Sequence, residues 1–180
     1  MNYQEKPFTR VVIKPLERVL NEADKLVKEG MSNENMALKT RWSGFNRLMM
    51  GGLRFGNTYL LAGASGHGKS FFLNMLIQDF LDPEINGTFN KPFKILHFGF
   101  EMSAADEILR RAAAMTNISY SSLLSAFDKL TPQQYEFFQE KLKTLKEQPV
   151  FYVEQPTTRY KMYQTIKDFK TKFPDEELIV

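Results

Sequence analysis

Four residues of this chain stand at the spacing that phosphate chemistry requires. Gly63, Gly68, Lys69 and Ser70, within GASGHGKS, fill every fixed position of the pattern G-x-x-x-x-G-K-[ST]. Glycines at 63, 66 and 68 let the backbone curl its N–H groups around the oxygens of a nucleoside triphosphate. A helix beginning directly after them adds the favourable electrostatics of its N-terminus. Lys69 would then sit between the outer phosphates as a point charge, and the Ser70 hydroxyl would be one ligand of the bridging Mg2+. The candidate nucleotide-binding set for ATP or GTP is therefore Gly63, Ala64, Ser65, Gly66, His67, Gly68, Lys69, Ser70 and Phe71. His67 occupies a variable position of the pattern and reads as a bystander to the chemistry.

Glu101 is the second chemical candidate, because it closes the apolar run FKILHFGF that follows the loop and its helix. In an open α/β sheet, ligands bind at the carboxyl ends of the strands, which brings Glu101 toward the phosphate loop. There it could orient and deprotonate a water for attack on the terminal phosphate. A carboxylate near a helix start is also favoured by the helix dipole alone. The residues by themselves leave both roles open.

The elements that must position these groups follow from periodicity and punctuation. Tyr59 to Ala62 reads as a short strand feeding the loop, and Phe71 to Phe80, apolar nearly all round, as a helix buried beneath a sheet. Pro83 to Pro92 is a turn-rich connection, and Phe93 to Phe100 a strand whose near-continuous apolar character suits a parallel sheet. Ser103 with Asp106 marks a helix start, and that helix runs to about Thr116. Thr131-Pro132 with Gln134 opens another, carrying Tyr135, Phe138, Leu142 and Leu145 on one stripe. Val150 to Val153 is a further strand. A helix from Thr158 to Phe173 should turn Met162, Ile166, Phe169 and Phe173 inward and leave Lys161, Lys167, Lys170 and Lys172 solvated. The chain then reads LIV, the opening of another strand. Strands alternating with helices predict a doubly wound α/β fold with a largely parallel sheet.

Ahead of this alternation, residues 1 to 14 form an arm with a short extended piece at Val11 to Ile13. From Pro15 to Gly30, Leu16, Val19, Leu20, Ala23, Leu26 and Val27 recur at helical spacing, with Gly30 as the stop. MSNENMALKTR resembles a linker, and WSGFNRLMMGGLRFG, from Trp42, reads as a packed lead-in turn.

Composition narrows the classes. A chain of 180 residues with 43% hydrophobic residues and 16 Phe can bury a sizeable core. Its 24 basic and 21 acidic residues, net +3, give no strong global footprint for nucleic acid, although a local patch is allowed. Without cysteine there is no disulfide, thiolate metal site or cysteine nucleophile. No apolar run approaches the length of a membrane span, and MNYQEKPFTR lacks the apolar centre of a signal peptide, so the expectation is a soluble cytoplasmic protein with no membrane partner.

With these residues in place, the chain resembles the RecA-like ATPase domain of DnaB-type replicative DNA helicases. The likeness runs from Thr40 to the last residue: SGFNRLMMGGLRFG, the loop GASGHGKS, the strand ILHFGFEMS followed by ILRR, the helix LTPQQYEFFQEKLKTL and the strand FYVEQP. The phosphate loop is shared by many ATPases, whereas Glu-Met-Ser at the next strand's end followed by ILRR is much more specific. The resemblance implies that Lys69 and Ser70 bind phosphate and Mg2+, that Glu101 is the catalytic base, with Lys69 beside it, and that Arg110 supports the site. It implies an arm and linker helix over 1–39 and a RecA-like ATPase domain over 40–180. It further implies ATP as substrate, a homo-hexameric ring joined through the helix ahead of the domain, single-stranded DNA as track, duplex unwinding, and a primase or loader as partner. Met49 stands where the family usually has aspartate, the turn before Gly52 is shorter, and Gly99-Phe100 replaces the usual serine-leucine. These departures spare the ATP site and blur the subfamily. Other RecA-like ATPases, of recombinase or clock type, and a nucleotide-gated assembly module are the competing functions. The domain is also expected to be incomplete at its C-terminus, because a phosphate-loop ATPase needs an aspartate at the end of such a strand to help hold Mg2+. That aspartate would follow Val180, and the present chain alone would then turn ATP over weakly.

Overall fold

A computed structural model describes residues 13–31, 37–87, 92–125 and 127–180, and the chain divides into two units, Met1–Met36 and Ala37–Val180. In the first unit, α1 (Leu16–Met31) forms where the apolar spacing predicts, with the Pro15 carbonyl accepting the Val19 N–H at 3.3 Å. It passes through Gly30 instead of stopping there. A glycine ends a helix by adopting a left-handed conformation, and Gly30 has no positive φ. Leu16, Leu20, Leu26 and Val27 are exposed along one stripe. The other face carries the pairs Arg18–Glu22 and Lys28–Asp24. Residues 1–12, with most of the expected extended piece, lie outside the described residues.

The second unit runs β1 (Ala37–Leu38), α2 (Ser43–Leu48), β2 (Leu53–Arg54), α3 (Lys69–Phe80), α4 (Pro83–Asn86), β3 (Phe93–Phe98), α5 (Ala104–Thr116), α6 (Tyr120–Leu124), α7 (Pro132–Lys146), β4 (Val150–Val153), α8 (Arg159–Lys172) and β5 (Glu177–Ile179). Among the described residues, β3 is the centre of a parallel sheet of order β4-β3-β5, with Ile95 opposite both Val150 and Ile179. The α/β class with a parallel sheet flanked by helices is thus as the alternation predicts. Ser103 accepts the Asp106 N–H at the start of α5, Thr131 and Gln134 form the reciprocal capping box of α7, and Thr158 caps α8.

Several expectations change. Residues 59–62 form no strand, and Leu60 is 92% exposed. A strand is a pairing and not a property of its own sequence. Here the Tyr59 hydroxyl instead accepts the Arg54 N–H at 2.9 Å. The helix behind the loop is accordingly not covered all round: Phe71 and Leu73 are exposed, while Asn74, Ile77, Asp79 and Phe80 are buried. β3 ends at Phe98, two residues early, because the chain turns at 99–103 into α5. The connection after Pro83 holds one helical turn, α4, capped by Asp82. Tyr135 lies exposed although Phe138 and Leu145 on its stripe are buried. α6 lacks periodicity long enough to see; Ser119 nucleates it by accepting the Ser122 N–H.

The linker reading fails at 37–40, where Leu38 and Thr40 are 2% and 3% exposed. β1 pairs antiparallel with β2, and polar side chains lock the segment down. Asn86 donates to the Lys39 carbonyl and accepts the Lys39 N–H, while fully buried Asp79 accepts the Arg41 N–H at 2.9 Å and its Nε at 2.7 Å. Contacts of this kind to an ionised carboxylate contribute about 1.5–3 kcal/mol each. They fasten the lead-in segment to α3, whose first turn carries the phosphate-loop lysine.

Two apolar clusters complete the unit. Ala112, Phe138 and Leu145 form the buried centre between α5 and α7. On α8, Met162, Ile166, Phe169 and Phe173 turn inward as the pattern predicts, with Phe169 edge-on to Phe151 of β4 at 4.9 Å, and the four lysines face solvent.

Candidate functional site

The loop of residues 63–70 turns where glycine permits. Gly66 and Gly68 have φ of 80° and 78°, and left-handed Gly68 is the residue from which α3 starts. Its carbonyl accepts the Phe72 N–H at 2.8 Å, so the first turn of α3 is closed directly behind Lys69 and Ser70. The Lys69 ammonium donates to the Ala64 carbonyl at 2.9 Å, and its methylenes lie alongside Gly63. His67 stays local, its Nδ1 3.2 Å from the Ser65 carbonyl. This loop has a cation folded across it and a helix N-terminus at its base, the arrangement that receives an anionic phosphate.

Trp42, the single tryptophan, stacks on Phe72 with centroids 5.2 Å apart, and Phe45 meets the same ring edge-on at 6.0 Å. The lead-in segment therefore buttresses α3 two residues beyond Ser70.

Two grooves meet at α3, and Ser70 and Asn74 line both. One, of about 260 Å³, is also lined by His97, Gly99, Glu101 and Glu107, so the fold brings Glu101 and the phosphate-loop serine to one cleft. The Glu101 carboxylate is exposed there. The other, of about 280 Å³, is lined by Phe71, Arg110 and Tyr120. Arg110 is exposed and lies over the Tyr120 ring at 4.8 Å, while the Tyr120 hydroxyl donates to Asp106 at 3.0 Å. Hydrogen bonds from the Ser103 hydroxyl and then from Tyr120 hold the Asp106 carboxyl below its usual range, and the same bond pushes the Tyr120 phenol up.

Sequence reading singles out Arg110 but passes over Arg111, which is 1% exposed and donates to the Tyr152 hydroxyl at 3.1 Å and to Gln148 at 2.5 Å. It also misses Glu154, which accepts the Ala104 N–H at 2.5 Å, and the buried pair His97–Glu107. These partners are distant in sequence and follow no local pattern. The ILRR run alone could have flagged Arg111.

No cluster of three His, Cys, Asp or Glu that could hold a metal by itself occurs among the described residues. The Ser70 hydroxyl and Glu101 carboxylate bordering one cleft are hard oxygen donors of the kind Mg2+ takes, with phosphate and water oxygens supplying the remainder. No described helix is long and apolar enough to cross a membrane.

Residues 37–180 match the family model of the DnaB-like helicase C terminal domain. Among solved structures, the ATPase domain of a DnaB-like helicase superposes with a TM-score of 0.68 at 15% identity, covering 88% of this chain and 54% of that one. That likeness shows a shared RecA-like fold, and this chain spans about half the length of that solved domain. No curated protein matches the chain.

Proposed function

We propose that this chain, which belongs to the DnaB-like helicase C-terminal domain family, is the ATP-binding part of a hexameric replicative helicase that couples hydrolysis to movement along single-stranded DNA and duplex unwinding. The observation that carries this reading is the single cleft lined by Ser70 of the phosphate loop and by Glu101. Residues 63–70 bind the phosphates, Lys69 lies across the outer pair, and Ser70 supplies one oxygen to Mg2+. When bound, Mg2+ neutralises charge on the phosphate oxygens. Glu101 takes a proton from water as the water oxygen bonds to the terminal phosphorus and the bond to the bridging oxygen breaks. Arg110, on the far side of α3's first turn, supports the site.

Trp42 makes the binding step visible, because it stacks on Phe72 immediately behind the loop. Its emission is expected to change saturably on titration with ATP or ADP and Mg2+, and an unresponsive tryptophan with no calorimetric heat would sink the reading. With the ring-forming protein that carries this segment, single-stranded DNA should stimulate hydrolysis, and a forked duplex should be opened. Stimulation without opening would point to a recombinase-type ATPase. Nucleotide-dependent assembly without hydrolysis would point to an assembly module.

The exposed stripe of Leu16, Leu20 and Val27 on α1 supports docking on a neighbouring subunit, since an isolated helix gains little by exposing an apolar face. Deleting residues 1–30 is expected to shift sedimentation toward the monomer while leaving the far-UV signal of the ATPase unit intact. Loss of that signal would place α1 in its own domain's core.

A further inference from the structure

His97 of β3 and Glu107 of α5 face each other across the base of the turn that carries Glu101. Nε2 of His97 lies 2.9 Å from one carboxylate oxygen and 3.2 Å from the other, and the side chains are 10% and 7% exposed. Burying a carboxylate this deeply is costly unless a partner compensates it. The chain between the two residues passes directly over their contact: a Cβ on Gly99 would stand 3.0 Å from Glu107 Oε1 and 3.2 Å from His97 Nε2. The turn is tied at both ends, by the Gly99 N–H donating to Val153 at 3.1 Å and the Ala104 N–H donating to Glu154. Between those ties, Glu101 borders the same cleft as Ser70, His97 and Glu107.

We propose that the His97–Glu107 pair positions Glu101. By joining the end of β3 to the first turn of α5, the pair fixes residues 99–103 and holds the Glu101 carboxylate across the cleft from Ser70. The proposal rests on reading residues 63–70 as the phosphate loop and Glu101 as the base. Neither His97 nor Glu107 touches nucleotide or water in this role. Apolar packing could fill the same volume, but only a directional hydrogen bond sets the turn's register, and a displacement of about 1 Å at reacting groups can cost about 100-fold in rate.

The test separates positioning from folding. The double variant His97→Phe/Glu107→Leu removes both charges together, an exchange that buried pairs commonly tolerate without loss of stability. Trp42 emission would be titrated with ADP·Mg2+ alone and with fluoroaluminate added to mimic the phosphoryl group in transfer. The wild-type chain is expected to prefer the fluoroaluminate complex over ADP by at least about tenfold, as sites complementary to a transition state do. The double variant should keep its melting temperature and bind ADP within about twofold of wild type, yet lose that preference. Glu107→Gln, which can still accept a hydrogen bond from a neutral imidazole, should retain part of it. Should the double variant melt early, Gly99→Ala keeps both side chains and wedges against their contact, and it should lower the preference several-fold at unchanged ADP affinity. An undiminished preference in the folded variants, or none in wild type that binds ADP, overturns the proposal. Failure of the wild-type chain to bind ADP overturns the nucleotide-site reading and this proposal with it.

Discussion

Replacing Lys69 by Ala is expected to weaken ATP·Mg2+ binding by at least about 100-fold, equivalent to roughly 2.7 kcal/mol. Two losses combine. The ammonium is the cation lying across the loop, where it donates to the Ala64 carbonyl at 2.9 Å and would transfer that donation to phosphate oxygens. Its methylenes also pack beside Gly63, so truncation removes a strut between the start of the loop and the start of α3. Lys69→Met separates the two, keeping most of the stem and discarding the charge. If charge dominates, Met and Ala should be equally weak by calorimetry. Wild-type affinity in both variants would show that residues 63–70 do not hold the phosphates.

The difference between what the sequence discloses and what it hides follows from the range of the interactions. The phosphate loop is legible because its chemistry depends on residue types at consecutive positions, and Gly68 takes the left-handed conformation that a loop-to-helix turn demands. The caps at Ser103, Thr131 and Thr158 are legible for the same reason, each bond closing over three residues. Asp79 with Arg41 is not: 38 positions separate them, and a carboxylate in the middle of FFLNMLIQDF gives no sign that it will be the most buried side chain of its helix. Nor is His97–Glu107, whose meeting depends on how far α5 leans over β3. The run at 59–62 shows the opposite failure. Its apolar residues carry strand propensity, but propensity cannot supply a neighbouring edge, and the segment stays unpaired.

Glu101→Gln is expected to leave nucleotide affinity within about twofold and to lower ATP turnover by about 10²–10⁴-fold, the range that a positioned general base contributes. The separation arises because a base acts on the attacking water, which gains nothing from it until the water oxygen begins to bond to phosphorus. Glutamine preserves the shape and one hydrogen-bonding oxygen, so the turn between β3 and α5 should survive, with Gly99 still donating to Val153 and Ser103 still capping α5. The exposure of Glu101 in this structure keeps its carboxylate available to ionise. Its place beside Ser70 puts it on the phosphate side of the cleft. Turnover should be measured with single-stranded DNA present, and affinity by the Trp42 response, on the same preparation. Loss of affinity and turnover together would make Glu101 a ligand of the nucleotide or of Mg2+, and unchanged turnover would leave it as a carboxylate placed near a helix start by the dipole alone.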